Sequence, residues 1–450
     1  MGKLFGTDGA RGIANLELTP EIAFRLGRAG SHVLSREVSR PQILVGRDTR
    51  ISGDMLESAL VAGICSVGAD VLKAGIMPTP GVAYLTQRYQ FSCGIVISAS
   101  HNPMEYNGIK FFGPKGFKLP DEVEDEIESL VADQDEIIAR PGGGDIGRVY
   151  DLNEAEPNYL DFLKNCYRGR QDLTGLTVVI DCANGAAYNV APRLWRDMGA
   201  RVIAIHNQPN GLNINDRCGS TYPGALRRAV LEHKADLGIA YDGDADRVIA
   251  VDERGNIIDG DFIMVVCGLH LHRTSQLRPP KVVTTVMSNI GLDIAFRREK
   301  VEVLNCQVGD RYVLEKMRES GARLGGEQSG HIIFLDHATT GDGLLSSLKL
   351  AEVMRETGMP LSALAREMEQ YPQLLINLDI KDKDSILNSM EIAQVIKQAE
   401  QKLGEWGKVL VRPSGTEPKV RIMAQGPDEF LLQEVVDEIK NAILVKSGMS

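Results

Sequence analysis

The chain has 450 residues, with 50 Lys and Arg against 61 Asp and Glu for a formal net charge of −11, and its 43% hydrophobic and 25% charged residues are ordinary for a globular protein. These proportions exclude a disordered chain and, with 46 Gly and 19 Pro, a collagen-like one. The acidic balance argues against a general nucleic-acid binder but not against an anionic substrate in a local basic pocket. At about 150 residues per domain, length suggests about three domains. Seven scattered cysteines form no CxxC pair, which fits a reducing cytosol better than a zinc framework or a disulfide scaffold. The opening MGKLFGTDGARG lacks an apolar signal region and no apolar run reaches the ~18 residues of a membrane span, so a cytoplasmic protein is expected.

In chain order, FGTDGARG (5–12) places Arg11 in a Gly-rich loop. A strand–helix–strand unit follows: ILVGRDTR (43–50), a helix from Glu57 to Val67, and DVLKAG from Asp70. GIVISASHNP (94–103) is a buried strand ending in Ser98, Ser100, His101 and Asn102. A hydroxyl there lies where α/β active sites form, although a turn or helix cap would use the same residues. There is no GxSxG elbow, so a hydrolase triad is not supported. NGIK (107–110) brings Lys110 close in sequence; both Arg11 and Lys110 could also be surface cations. The acidic run 121–130 predicts a solvated amphipathic helix with Val123, Ile127 and Leu130 on its apolar face. ARPGGGDIGR (139–148) reads as a linker.

LTVVIDCANG (176–185), a helix to Met198 and RVIAIH make a second unit; KVVTTVMSN (281–289), a helix to Arg298 and VEVLNC make a third. Such units predict mostly parallel sheets. Between them, AYDGDADR (240–247) ends a strand with Asp242, Asp244 and Asp246 at alternate positions, able to aim three carboxylates at one hard cation such as Mg²⁺. An EF-hand start is excluded because Arg247 stands where its glycine is required. GGEQSGH (325–331) alternates Glu327 and Ser329, which would put both on one side toward sugar hydroxyls. His331 could transfer protons or be structural. In the tail, RPSGTEP (412–418) offers Arg412, Ser414, Gly415 and Thr416 to one phosphate, with Arg421 as a second guanidinium, or is a plain turn. No Walker loop is present. The tail reads as a small α+β domain, which raises the expected domain count to four.

SASHNP, DGDADR, GEQSGH and RPSGTEP, in this order over nearly the whole chain, resemble the motifs of the α-D-phosphohexomutase superfamily. The resemblance implies an α/β protein of three related domains with mixed, mostly parallel sheets and a smaller C-terminal α+β domain, around a central cleft. The segments are then 1–155 with the phosphoserine loop, 156–255 with the metal loop, 256–369 with the sugar loop and 370–450 with the phosphate loop. FGTDGARG, NGIKFF and GEQSGH are most similar to the bacterial branch that interconverts glucosamine 6-phosphate and glucosamine 1-phosphate for UDP-N-acetylglucosamine and peptidoglycan precursors; the alternative is a phosphomannomutase/phosphoglucomutase. MEY between SASHNP and NGIK, and Ala10, depart from the commoner pattern.

Carried over on that resemblance, Ser100 would be the phosphoserine, and Mg²⁺ would bind Asp242, Asp244, Asp246 and a phosphoryl oxygen on Ser100. Glu327 and Ser329 would hold sugar hydroxyls. Arg412, Ser414, Gly415, Thr416 and Arg421 would clamp the non-reacting phosphate. Arg11, His101, Lys110, Arg247 and His331 would contact the transferring phosphoryl group or relay protons, with the general base left open among them. A glucose or glucosamine 1,6-bisphosphate would serve as activator or intermediate, and the partners would be sugar phosphates and a second copy in a homodimer, with neither nucleic acid nor membrane. The tail domain would move about a hinge near residue 370.

Overall fold

A computed structural model describes residues 4–6, 8–36, 38–132, 138–169, 171–380, 382–413 and 419–447. The first part of the chain forms β1 (Phe5–Gly6), β2 (Gly9–Ile13), β3 (Gln42–Arg47), β4 (Asp70–Ile76), β5 (Cys93–Ile97), β6 (Tyr106–Phe112) and β7 (Val149–Asp151), with helices α1 (Pro20–Leu34), α2 (Ser52–Cys65), α3 (Thr79–Arg88) and α4 (Asp121–Ala132). Its sheet order is β1-β2-β6-β5-β3-β4-β7; β5, β3, β4 and β7 are parallel and β6, β2 and β1 complete it through antiparallel pairs.

The second part contains α5 (Ala155–Cys166), β8 (Thr177–Asp181), α6 (Ala187–Asp197), β9 (Arg201–Ile205), α7 (Gly224–His233), β10 (Leu237–Tyr241), β11 (Val248–Asp252) and β12 (Ile257–Ile258), ordered β12-β11-β10-β8-β9. The third contains α8 (Gly260–Arg273), β13 (Lys281–Thr285), α9 (Ile290–Arg298), β14 (Glu302–Cys306), α10 (Asp310–Ser320), β15 (Leu324–Gly326), β16 (Ile332–Phe334), α11 (Gly343–Thr357) and α12 (Leu361–Leu364), ordered β14-β13-β15-β16. The tail has β17 (Gln373–Asp379), α13 (Lys383–Leu387), α14 (Met390–Leu403), β18 (Lys408–Pro413), β19 (Lys419–Gln425) and α15 (Glu429–Lys446), with an antiparallel sheet β17-β19-β18.

Local chemistry accounts for these elements. Thr19 caps α1 ahead of Pro20, Asp259 caps α8, Asn289 caps α9 and Asp428 caps α15, each accepting from first-turn amides. The strands β5 (CGIVI) and β10 (LGIAY) are buried at every position, as strands covered on both faces must be. Each of the four sheets has one recurring feature: a strand is followed directly by an antiparallel neighbour, β5 by β6, β10 by β11, β15 by β16 and β18 by β19. The first three connections carry SASHNP, DGDADR and GEQSGH; residues 414–418, between β18 and β19, lie outside the described residues.

The acidic helix α4 differs from the expectation. Its buried stripe is Glu124, Ile127 and Val131, while Val123 and Leu130 are only half-buried. Glu124 is drawn inward because Arg311 of α10 donates to it at 2.9 Å and also pairs with Asp121, while Glu128 accepts from the Leu4 amide at 2.8 Å. The run joins two parts of the chain rather than only facing water. All seven cysteines are free thiols, and among the described residues no helix is long and apolar enough to cross a membrane.

Candidate active site

Ser100 sits at the turn after β5 with φ +52°, a left-handed conformation unusual for a side-chain-bearing residue. It is 1% exposed, and its hydroxyl donates to Asp242 Oδ2 at 2.7 Å, with His101 Nδ1 at 3.4 Å. The strain is held by a buried scaffold. Arg50 donates to the carbonyls of Ser100 (2.9 Å), Asn102 (2.8 Å) and Tyr106 (3.0 Å), and is itself fixed by Asp48 at 2.9 Å. Ser98 Oγ donates to Asp48 at 2.6 Å while accepting from the Ser100 amide at 3.0 Å. Asn215, from the second part of the chain, donates to the Ser100 and Asn102 carbonyls at 2.8 and 3.0 Å. Gly243 explains why the aspartate loop approaches so closely, since a Cβ there would lie 2.5 Å from the Ser100 carbonyl oxygen.

Asp242, Asp244 and Asp246 are all buried, with one carboxylate oxygen from each within 4.8 Å of the others. Burial and the neighbouring carboxylates push Asp242 well above the usual value and raise Asp246. Burial also opposes ionisation of Asp244, but Lys110 at 2.8 Å and Thr79 Oγ1 at 2.6 Å hold it down to about 2. Asp244 Oδ1 and Asp246 Oδ1 are buried without a protein hydrogen-bond partner. Three converging carboxylates with two such oxygens form an all-oxygen donor set that fits a hard divalent cation such as Mg²⁺.

Around them runs a line of alternating charge. Lys110 Nζ lies 2.8 Å from both Asp244 and Asp8; Asp8 also pairs with Arg11 and Lys118, and Lys118 continues to Asp310. Burial works against the Lys110 ammonium, yet Asp244 and Asp8 keep it above its ordinary value. His101 is pushed down to about 4, first by burial and then by Arg247 and Arg11, so its ring is neutral near pH 7. Arg247 bridges to His331 through the backbone and lies 3.8 Å from Asp246. His331 Nε2 accepts from the Gly341 amide at 3.1 Å, which leaves the ring proton of a neutral imidazole on Nδ1.

The GEQSGH segment is a loop rather than a strand, so the expected alternation does not apply. Its turn is closed by the Gly330 amide on the Glu327 carbonyl at 2.9 Å. Glu327 is buried and accepts from the Gly309 amide at 3.0 Å, whereas Ser329 is exposed. Arg412 and Arg421 lie directly opposite each other on β18 and β19, and burial together with Arg421 lowers Arg412. Like charges in that register disfavour each other unless an anion lies between them. Ser414, Gly415 and Thr416 lie outside the described residues.

Four domain descriptions match in order: "Phosphoglucomutase/phosphomannomutase, alpha/beta/alpha domain I" over residues 2–137, domain II over 157–255, domain III over 259–371 and the C-terminal domain over 375–442. The chain belongs to the phosphoglucomutase/phosphomannomutase family. As a member of that family it is an enzyme of the mutase type. It is 68% identical over 445 residues to "Phosphoglucosamine mutase" of Syntrophomonas wolfei, covering 98% of this chain and 99% of that protein. The namesake of Carboxydothermus hydrogenoformans is 58% identical, with 98% of each covered. In fold, the chain resembles a phosphoglucomutase/phosphomannomutase family protein of Burkholderia thailandensis (TM-score 0.81, 24% identity, 98% and 97% covered). It also resembles Aspergillus fumigatus N-acetylphosphoglucosamine mutase in complex with GlcNAc-6P and magnesium (TM-score 0.69, 16% identity, 99% and 96% covered).

Several residues built into this phosphohexomutase site were not singled out from sequence: Asp48, Arg50, Asn215, Asp8, Lys118 and Asp310. Asp8 was in view inside FGTDGARG, and Arg50 inside GRDTR, but only as part of a loop and a strand end. A charged pair placed directly after an apolar strand is the one local signal they carried.

Proposed function

We propose that the chain interconverts D-glucosamine 6-phosphate and α-D-glucosamine 1-phosphate through a phosphoserine at Ser100 and a glucosamine 1,6-bisphosphate, supplying UDP-N-acetylglucosamine and peptidoglycan precursors. The observation that carries this is the buried Ser100 hydroxyl, held 2.7 Å from Asp242 in a strained turn. High identity to phosphoglucosamine mutases along the whole chain supports the choice of sugar.

In the forward half-reaction the bond between Ser100 Oγ and phosphorus breaks, and the sugar hydroxyl oxygen takes the phosphoryl group while its proton leaves to a base. The bisphosphate then turns, the bond between its other phosphorus and the sugar oxygen breaks, that phosphoryl group returns to Ser100 Oγ, and the freed sugar oxygen recovers the proton from the base. Mg²⁺ held by Asp242, Asp244 and Asp246 would neutralise charge on the transferring group. Lys110, kept cationic by its two carboxylates, and Arg11 and Arg247 would add fixed positive charge around it. His101, neutral near pH 7, can accept the hydroxyl proton, and His331, with Nε2 3.7 Å from Asp310, would be the other residue of the proton relay. Glu327 and Ser329 would bind sugar hydroxyls, with the Arg412 and Arg421 pair on the distal phosphate together with Ser414, Gly415 and Thr416. Both elements would recognise the sugar in either orientation. The reading extends to a cytoplasmic homodimer using 1,6-bisphosphate as activator.

The test is a comparison of kcat/KM for glucosamine 1-phosphate, glucose 1-phosphate and mannose 1-phosphate, with intact-mass analysis. Preference for glucosamine 1-phosphate and a phosphate adduct that Ser100→Ala abolishes are expected. Higher kcat/KM on glucose or mannose 1-phosphate would replace the substrate assignment, and full activity in Ser100→Ala would overturn the mechanism.

A further inference from the structure

A second set of metal-ligating side chains lies apart from the aspartate loop: Asp181, His206 and Cys218, one donor atom of each within 4.8 Å of the other two. We propose that these residues bind a borderline-soft divalent cation of the zinc type, which fastens the 206–219 loop to the end of β8.

The topology brings them together from distant positions. In the parallel pair β8–β9, Asp181 stands opposite Ile205, so Asp181 ends one strand and His206 is the first residue beyond the other. The chain then loops back to Cys218, which is fully buried. Gly219 keeps that return close: a Cβ there would lie 2.6 Å from the Ala183 Cβ. The carboxylate is already oriented, because Asp181 Oδ1 accepts from the Ala183 amide at 2.9 Å and leaves Oδ2 against His206 Nδ1 at 3.0 Å. The Asn184 amide fixes the His206 backbone by donating to its carbonyl at 2.7 Å. Such supporting contacts hold metal ligands in place.

The donor chemistry selects the ion. Once the buried Cys218 thiol has released its proton to water on binding the cation, carboxylate, imidazole and thiolate together carry two negative charges, which a divalent cation balances, and thiolate favours Zn²⁺ over Mg²⁺. The His206 side chain is 32% exposed, so a fourth position can face water there. A plain Asp–His ion pair would give no reason for a thiol as third neighbour. The same loop reaches the phosphohexomutase centre through backbone contacts: Asn215 donates to the Ser100 carbonyl, and the Gly211 carbonyl accepts from the Ile51 amide at 2.9 Å. An occupied site would therefore stiffen one wall of the Ser100 turn.

The full chain, stripped with a chelator and kept in excess Mg²⁺ to satisfy the aspartate loop, is titrated with Co²⁺. The expected result is near-ultraviolet thiolate-to-cobalt charge-transfer absorption that saturates at one equivalent and is displaced by Zn²⁺. It should vanish in Cys218→Ser and persist in Cys182→Ser. His206→Gln, at a partly exposed position, should weaken Co²⁺ binding by more than about tenfold, and it carries the test if Cys218→Ser fails to fold. No charge-transfer band in the folded wild type, a band surviving in Cys218→Ser, or unchanged affinity in His206→Gln would each overturn the site.

Discussion

One hydrophobic core runs through the first three domains, from Leu44 and Tyr159 through Trp195 and Tyr241 to Leu324 and Leu345, beside a second one confined to the first domain, from Phe5 to Ile138; the fourth shares neither and keeps its own, from Ile380 to Ile443. The seam between them is mostly polar. Gln425 Oε1 accepts from the Ile290 amide at 2.8 Å, Asn289 exchanges hydrogen bonds with the Tyr371 backbone at 3.0 and 3.1 Å, and Lys408 reaches the Ser288 carbonyl at 3.3 Å. Among the described residues, Ile290, Ile294 and Tyr371 add a small buried apolar cluster. Ser100, the aspartates and Glu327 thus belong to a body that cannot separate without breaking its core, while the opposed arginines sit on a unit joined by replaceable hydrogen bonds. The proposed reaction, which would hold its chemistry rigid yet let a bisphosphate turn, would be served by that division.

The largest expected effect comes from within the shared body. Arg50→Met leaves Asp48 buried without its cation and takes the guanidinium donors from the Ser100 turn, where Asn215 remains, costing about 3–5 kcal/mol. Displacing the serine should lower kcat about 100-fold or more. Urea unfolding and steady-state kinetics check both, and near-normal turnover would show that Arg50 does not position the turn. Next, Trp195→Ala should cost about 3–5 kcal/mol and Ile439→Ala about 2–5 kcal/mol. Hydrogen exchange should find the first loss spread over the elements that share the Trp195 core, from Leu44 to Met368, and the second confined to 373–447; a common response would erase the distinction between these two cores.

Gln425→Ala strips the acceptor from the Ile290 amide, worth about 1–3 kcal/mol. It should raise exchange at Ile290 and change KM while leaving the phosphate content of Ser100 by intact mass untouched. The smallest effect concerns Asp261, whose side chain accepts from the Asn289 amide at 2.8 Å. Burial first, then Asp259, pushes its carboxyl from 3.8 up to about 7. The folded state therefore holds a proton that the unfolded state releases, so the stability it contributes is full below 3.8 and is lost as pH rises through about 7. Exchange at residues 289–291 should quicken across that range and become flat in Asp261→Asn; an unchanged pH slope in that variant would assign it to another group.

What could be read from sequence was periodic or local. The three strand–helix–strand units appear as β3–α2–β4, β8–α6–β9 and β13–α9–β14, because alternation of apolar runs and Gly-containing turns is a property of neighbouring residues. The aspartate spacing was legible for the same reason. Arg50 and Asn215 were not, since their ligands are backbone carbonyls, which carry no sequence identity. Glu124 was read as solvated because its partner, Arg311, is 187 positions away. Where Ser329 points relative to Glu327 was not legible, because the two lie in the turn between β15 and β16, where strand alternation does not apply.

The left-handed backbone at Ser100 also narrows what this position can become over generations. Threonine carries the same hydroxyl and can be phosphorylated as readily in principle. Its branched Cβ, however, fits poorly at φ +52°, where even serine needs Arg50 and Asn215 to hold it. A single-nucleotide drift from serine to threonine, harmless at many phosphorylated surfaces, is closed here by geometry before chemistry is consulted.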